Sequence, residues 1–256
     1  CVQATFRLLS LFLQIHVLSM PPLPSSPFRY IKQHLLTRTM TSLSFNDAYR
    51  ILLDVSIKKS RKVRGGNYVQ LATACQDGLP HCRTVVQRGL FQYQNNSVLK
   101  FITDQRSNKV EQIKHQPAGE LVWWFMKSSE QYRISGTLSL IGNDATDAEL
   151  LAVRKQTWGE LRDTAREQFY WEQPGVPLDE EPLNEEKDSE IEATTSTQNI
   201  PKGGRGEDGK VLPPPDTFLM MLLQPTKVDY LRLTDNNRIV FEKDGEQGWT
   251  KQSVNP

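Results

Sequence analysis

Two short basic segments contain the residues best suited to chemistry. Arg83 and Arg88 lie five positions apart in a strand-like run, so a regular strand would turn them to opposite faces. The segment Thr103–Lys109 has the pattern of a strand end, a turn and a helix start, with Ser107 as a candidate N-cap. A hydroxyl, the ammonium of Lys109 and free backbone N–H groups at a helix N-terminus suit a phosphate. Together the segments predict a site for a small phosphorylated molecule, although each arginine alone could be a solvated surface charge.

Other kinds of site lack their signatures in this sequence. Cys75, His81 and Cys82 have no second Cys/His cluster at zinc spacing, so we predict no metal site. The glycine-rich stretch at 203–206 follows no strand, which argues against a Walker or Rossmann phosphate loop. No Ser-His-Asp arrangement has a recognisable local signature. The basic segments therefore remain as the main candidates.

Composition excludes several classes of protein. The chain has 256 residues, with 31 basic and 30 acidic residues and a net charge of +1, which argues against a protein that coats nucleic acid. A mean hydropathy of -0.52 excludes a protein with many membrane spans. Three cysteines in this length exclude a disulfide-stapled scaffold. We therefore expect neither a nucleic acid nor a membrane as partner.

The charge is unevenly distributed along the chain. Residues 1–40 carry four basic residues and no acidic residue, which is typical of a transit peptide or a disordered head. Untranslated sequence preceding a start at Met40 is the alternative. A transit peptide would direct the protein to the chloroplast or mitochondrion, and otherwise we expect a cytoplasmic protein. Residues 178–212 carry ten acidic and four basic residues and no aromatic residue, which predicts a disordered insert. It would be either a partner-binding loop or an inert loop expansion.

The remaining pattern predicts a folded domain over residues 41–256, built mainly of short strands. Many antiparallel strands with few helices favour a closed or nearly closed barrel, because closure removes exposed edges. The absence of regular β-α-β alternation argues against a doubly wound fold. The predicted helices are 45–60, one following Ser107, and 145–171 with a break at Gly159; the predicted strands are 68–75, 81–90, 98–103, 120–126, 131–141, 218–223, 228–233, 238–242 and 249–254.

These segments, taken in order, resemble a known family. The run Arg83–Arg88 is followed by Phe101–Lys109, then by Gln131–Gly136 and Trp158–Arg166. This order is similar to the FMN-binding core of the pyridoxamine 5'-phosphate oxidase family, in its plant and cyanobacterial branch. The resemblance covers roughly residues 44–177 and 213–256. It implies a mainly β fold with flanking helices, a split β-barrel, FMN as cofactor, and a homodimer with FMN at the subunit interface.

The resemblance also implies roles for individual residues. Arg83 and Lys109 would hold the FMN phosphate, with Ser107 beside it, and Gln131 would bond the flavin ring. Arg88 takes the place of a family lysine that contacts the substrate phosphate. The full cofactor set implied in this way is Arg83, Thr84, Val85, Val86, Arg88, Thr103, Ser107, Asn108, Lys109, Gln131 and Arg238.

The substrate side departs from the family pattern. Leu231 stands near the place of a family tryptophan, and Thr234–Arg238 lacks the family's Arg-x-His pair. The candidate substrate contacts are Arg88, Arg162, Thr164 and Arg166, and no catalytic residue is assigned.

Three hypotheses remain open on these grounds. The first is an FMN-dependent oxidoreductase of pyridoxamine or pyridoxine 5'-phosphate, the phosphorylated forms of vitamin B6. The second is a flavin-binding protein without that activity, such as a reductase of another substrate, a flavin store or a sensor. The third is a non-flavin interaction module that uses the acidic insert.

Overall fold

A nine-stranded antiparallel sheet forms the framework. The computed structural model describes residues 48–177, 200–245 and 248–256. The sequence hypotheses for residues 1–40 and 178–199 lie outside these ranges. The strands are β1 Tyr68–Ala74, β2 Pro80–Val86, β3 Leu90–Tyr93, β4 Asn96–Asp104, β5 Ala118–Phe125, β6 Glu130–Ile141, β7 Phe218–Arg232, β8 Asn237–Asp244 and β9 Gly248–Val254. The helices are α1 Ala48–Ser60, α2 Asn108–His115, α3 Ala148–Glu160 and α4 Asp163–Glu167.

The sheet is open rather than closed. Its main order is β2-β1-β5-β6-β7-β4-β3, and β8 and β9 extend it from the second half of β7. Within the described residues no ladder joins β2 to β3, so the sheet is not closed into a barrel, in keeping with the split barrel that the resemblance implies. Of the cations predicted for the site, Arg83 lies within β2, Arg88 in the linker that follows it, and Lys109 in the first turn of α2.

Strand β7 is longer than the sequence pattern predicts. The predicted strands 218–223 and 228–233 form one strand that runs through Pro225. It accommodates the proline at a register shift opposite Ser135 and Gly136. A Cβ on Gly136 would approach the Gln224 carbonyl oxygen within 2.2 Å, so only glycine lets the two backbones meet there.

Two further boundaries differ from the expectations. The predicted strand 81–90 ends at Val86, and β3 begins only at Leu90 after a short linker. Helix α3 continues through Gly159 and ends at Glu160, where Leu161 is extended. A glycine inside a helix costs about 1 kcal/mol relative to alanine, which the burial of neighbouring Trp158 offsets.

Helix α1 is fixed to the sheet by a buried polar cluster. The Glu130 carboxylate accepts hydrogen bonds from Ser56 at 2.6 Å, Ser128 at 2.5 Å and Tyr230 at 2.9 Å. Burial opposes the ionisation of Glu130, but these donors outweigh it and hold its pKa below the usual value. The cluster therefore stabilises one position of α1 against β6 and β7.

Part of the predicted insert is folded. Residues 200–212, called here the clasp, include a 3-10 turn at Lys202–Gly204 and a β-bridge between Arg205 and Val211. The clasp packs on α3 and α4, where the Trp158 indole N–H donates to the Leu212 carbonyl at 2.7 Å. The prediction of disorder is therefore wrong for residues 200–212.

Within the described ranges, no helix combines the length and the apolar character needed to cross a bilayer.

Candidate active site

Two adjacent clefts contain most of the predicted site residues. The first cleft, of about 900 Å³, lies between the β1–β2 end and α2, and its lining includes Arg83, Ser107, Asn108 and Lys109. The second, of about 390 Å³, lies between the ends of β2 and β4 and the segment that follows α4. Its lining includes Val85, Val86, Arg88, Thr103 and Lys109. Lys109 and Pro174 line both clefts, so the clefts meet at these residues.

Arg83 is held in the first cleft by the protein interior. It pairs in register with Leu71 on β1, whose side chain is in the core. Its guanidinium donates to the Thr73 hydroxyl at 2.6 Å and to the Gln112 side-chain oxygen at 3.0 Å. These contacts fix the guanidinium, but no carboxylate of the described residues pairs with it.

Lys109 is the second cation of the first cleft. Its ammonium donates to Ser107 Oγ at 2.5 Å and to Thr103 Oγ1 at 3.2 Å. Burial lowers the pKa of Lys109, and the positive charge of Arg83 lowers it further. Burial likewise lowers the pKa of Arg83. The Asp104 carboxylate raises the pKa of Lys109 in part, but neither cation forms an ion pair with a carboxylate of the described residues.

The start of α2 completes this cleft. Ser107 occupies the N-cap position, as predicted, but its side chain makes no capping hydrogen bond and instead accepts from Lys109. The Val110 N–H donates to the Ser107 carbonyl at 2.8 Å, which leaves the N–H groups of Asn108 and Lys109 for a ligand. Two cations, a hydroxyl and a helix start form a donor set that suits a phosphate monoester. The residues present fit the phosphate of FMN.

Arg88 provides the cation of the second cleft. Its Nε is buried and has no hydrogen-bond partner among the described residues. Burial lowers the pKa of Arg88; nearby Tyr68 acts in the opposite direction, whereas nearby Arg162 lowers it further. A buried donor without a partner costs free energy, so an anion that accepts a hydrogen bond from Arg88 would bind favourably.

The remaining wall of the second cleft was not predicted as part of the site. It consists of Ala165, Gln168, Phe169, Trp171 and Glu172, together with Ile102 and Asp104. The segment is anchored because Arg106, itself paired with Asp104, donates to the Trp171 carbonyl at 2.9 Å. Trp171 is half exposed in the structure. Its position shortly before Pro174 and Pro177 is the signal of this wall in the sequence, because a large aromatic side chain in such a segment needs a neighbour to cover it.

Three residues of the predicted cofactor set do not line either cleft. Thr84 is exposed on the outer face of β2. Gln131 pairs with Leu231, which pairs with Arg238, so these side chains share the outer face of the sheet. Arg238 is paired with Asp229 at 2.8 Å. Within one chain the structure therefore separates Gln131 and Arg238 from the two clefts.

The three candidate substrate residues on α3–α4 have different environments. Arg162 and Thr164 are exposed, and neither lines the second cleft. Arg166, in contrast, is fully buried, and its guanidinium donates to the Gly203 and Leu161 carbonyls and to Asp163. Protein groups therefore occupy the guanidinium of Arg166, which leaves it poorly placed to contact a substrate directly.

The comparison with known proteins identifies the family. Residues 46–142 match the model described as pyridoxamine 5'-phosphate oxidase, FMN-binding domain. The chain is 31% identical over 212 residues to pyridoxine/pyridoxamine 5'-phosphate oxidase 2 of Arabidopsis thaliana, covering 81% of this chain and 96% of the relative. A relative from Leptospira biflexa, named pyridoxine/pyridoxamine 5'-phosphate oxidase, is 26% identical over 196 residues, covering 74% of this chain and 79% of the relative.

A solved structure agrees with these relatives. The pyridoxamine 5'-phosphate oxidase-related, FMN-binding protein of Nostoc punctiforme superposes with a TM-score of 0.67 and 31% identity, covering 84% of this chain and 99% of that one. This chain belongs to the pyridoxamine 5'-phosphate oxidase family of FMN-binding proteins. The predictions of the family, of FMN as its cofactor and of a split-barrel-type fold are confirmed.

Proposed function

We propose that the protein is an FMN-dependent oxidase of pyridoxine or pyridoxamine 5'-phosphate. The observation that carries this proposal is the pair of clefts joined at Lys109, each with a cation that forms no ion pair with a carboxylate of the described residues. One cleft suits a cofactor phosphate, and the other lies where the reactive ring and a phosphorylated substrate would meet. The Arabidopsis relative has the name of this activity and is matched over nearly its whole length.

In this proposal Arg83, Lys109 and Ser107 bind the FMN phosphate through charge-assisted hydrogen bonds. The backbone of Val85 and Val86 and the side chain of Thr103 line the path from the phosphate into the second cleft. When bound, FMN supplies a ring that accepts a hydride from the substrate and passes the electrons on to oxygen.

Arg88 binds the anionic end of the substrate in the second cleft, and exposed Arg162 is a second candidate for this contact. Phe169 and Trp171 exclude water from the apolar part of that cleft and support an aromatic ring. The role of these residues is to bind and orient, which places the substrate carbon against the cofactor.

We further propose that the site is completed in a homodimer. Gln131 and Arg238 lie on an outer sheet face with Trp124, which pairs with Gln131 and is 40% exposed, and Leu233 in the turn after β7 is 52% exposed. An exposed sheet face with large apolar residues is typical of an interface. A second copy packed on this face would bring its Gln131 and Arg238 to a cofactor that the first copy holds by its phosphate.

A flavin-binding protein without B6 oxidase activity is the second candidate. It is favoured by the occupation of Arg166 within the protein and by the absence of the family Arg-x-His pair before Arg238. Fewer cations then remain for a substrate phosphate than in the family pattern. The substrate would in that case be a different electron donor or acceptor.

The experiment that separates the candidates uses the purified full chain. We expect a yellow protein whose flavin is released by denaturation and identified as FMN by chromatography. Addition of pyridoxamine 5'-phosphate in air should produce hydrogen peroxide, and sedimentation should give twice the mass of 29.3 kDa. A yellow protein that makes no peroxide with either B6 phosphate would favour the second candidate. A protein that remains colourless after addition of FMN would contradict both.

A further inference from the structure

Gln112 is a buried glutamine of α2 whose side-chain amide connects three residues at the first cleft. Its oxygen accepts hydrogen bonds from the Thr73 hydroxyl at 2.6 Å and from Arg83 Nη2 at 3.0 Å. Its nitrogen donates to the Cys75 sulfur at 3.3 Å. Because the two ends of the amide have different partners, the oxygen is held towards Arg83.

The terminal nitrogens of the Arg83 guanidinium are both bound by the protein. Nη1 donates to the Thr73 hydroxyl oxygen at 2.6 Å and to the Leu71 carbonyl at 3.2 Å. Nη2 donates to the Gln112 oxygen, which also accepts the Thr73 hydroxyl. The two terminal nitrogens therefore grip two oxygens that lie 2.6 Å apart, and this end of the guanidinium has no room for a ligand.

A second edge of the same guanidinium remains open. Arginine has five N–H donors, and the contacts above use two on Nη1 and one on Nη2. Nε and the remaining N–H of Nη2 have no hydrogen-bond partner among the described residues. These two donors lie on the same side of the planar group, which is the fork that binds two oxygens of a phosphate. Since Arg83 lines the first cleft, the fork is available to a ligand there.

The groups that hold Arg83 are all neutral. A hydroxyl, an amide and a backbone carbonyl fix the orientation of the guanidinium without cancelling its positive charge. A carboxylate at the position of the Gln112 amide would bind the guanidinium more strongly, but it would form an ion pair and leave less charge for a phosphate. The neutrality of Gln112 is therefore as important to the cleft as its hydrogen bonds.

We propose that Gln112, together with Thr73, is a positioning residue of the FMN phosphate site. It turns the open edge of Arg83 towards the phosphate and preserves the full charge of the guanidinium for that contact. The inference rests on the proposed function, because it takes the first cleft as the site of the FMN phosphate. It does not depend on which substrate the second cleft binds.

The test compares FMN with riboflavin, which has the same ring and lacks the phosphate. The full chain, freed of flavin, is titrated with each compound and followed by flavin fluorescence. Gln112→Glu preserves the shape of the side chain and neutralises Arg83, so we expect FMN affinity to fall by a factor of at least about 10 and riboflavin affinity to stay unchanged. Gln112→Met removes the acceptor but leaves the charge of Arg83, so its loss of FMN affinity should be smaller, about threefold.

The matched control is Gln116→Glu. Gln116 is the exposed C-cap residue of α2, one turn beyond Gln112, and it adds the same charge without contacting Arg83. We expect wild-type affinity for both flavins in this variant. A loss of FMN affinity as large as that of Gln112→Glu would show an effect of net charge alone and overturn the inference.

The remaining outcomes are equally definite. Wild-type FMN affinity in Gln112→Glu, or equal weakening of FMN and riboflavin, would overturn the inference. If Gln112→Glu does not fold, Thr73→Val removes the other neutral acceptor with little change of shape, and the same selective loss of FMN affinity is expected. Arg83→Ala separates the inference from the proposed function. Unchanged FMN affinity in Arg83→Ala would overturn both, whereas a loss there without a loss in Gln112→Glu would overturn the inference alone.

Discussion

The first cleft and the clasp use cations in opposite ways. In the clasp, Arg205 is paired with the Asp163 carboxylate, which raises the pKa of Arg205 and lowers that of Asp163. In the cleft, Arg83 and Lys109 have no carboxylate partner among the described residues, and burial lowers the pKa of both. The arginine that holds the clasp in place thus has a carboxylate partner, whereas the two cations that face the predicted ligand have none among the described residues. This difference separates structural from binding residues better than the residue type does, since arginine occurs in both.

The largest effect should come from removing both cleft cations. Arg83→Ala with Lys109→Ala eliminates the charges that face the FMN phosphate, and each charge-assisted hydrogen bond contributes about 1.5–3 kcal/mol. We expect FMN affinity to fall by a factor of at least about 100, measured by flavin fluorescence titration. The matched control is Lys114→Ala, which removes an exposed cation paired with Glu111 at the rim of the same cleft. Near-normal FMN affinity in the double variant would show that the phosphate binds elsewhere.

Removal of a buried charge that has hydrogen-bond partners should have the opposite effect. The protein should lose stability but keep its affinity for FMN. Glu130→Gln weakens three hydrogen bonds in the buried cluster beneath α1. We expect the free energy of unfolding to fall by about 2 kcal/mol, measured by urea denaturation. The exposed Glu111→Gln variant is the control and should unfold like the wild type.

The stability that the Glu130 carboxylate contributes should depend on pH in one direction. An ordinary glutamate has a pKa near 4.3, and the donors hold that of Glu130 lower in the folded protein. Its contribution is therefore complete above about pH 5 and is lost as the pH falls through the lowered pKa. The stability difference between wild type and Glu130→Gln should shrink in acid. A difference that grows below pH 4 would contradict this assignment.

The smallest expected effect concerns the hydroxyl in the first cleft. Ser107→Ala removes an acceptor of Lys109 and a candidate donor to the phosphate, but it leaves both cations in place. A neutral hydrogen bond contributes about 1 kcal/mol, so FMN affinity should fall about fivefold and stability should hardly change. Loss as large as that of the double cation variant would mean that Ser107 orients the whole cleft.

The family and the local parts of the site could be predicted from the sequence. Arg83, Ser107 and Lys109 could be assigned because strand alternation and a helix start are short-range features, and because they occur in a characteristic order. The position of α1, predicted at 45–60 and found at Ala48–Ser60, follows from an equally local signal.

The partners of each charge depend on the folded chain. Arg88, Arg166 and Arg238 look alike in the sequence. Arg88 has a buried nitrogen with no partner among the described residues, Arg166 is bonded to the clasp, and Arg238 is paired with Asp229. These partners lie up to 37 positions away along the chain, so no local pattern reveals them. The order of the clasp could not be predicted for the same reason. Its few apolar residues cannot form a core alone, but they are stabilised by packing against Trp158 and Arg166. Composition contains no information about that packing.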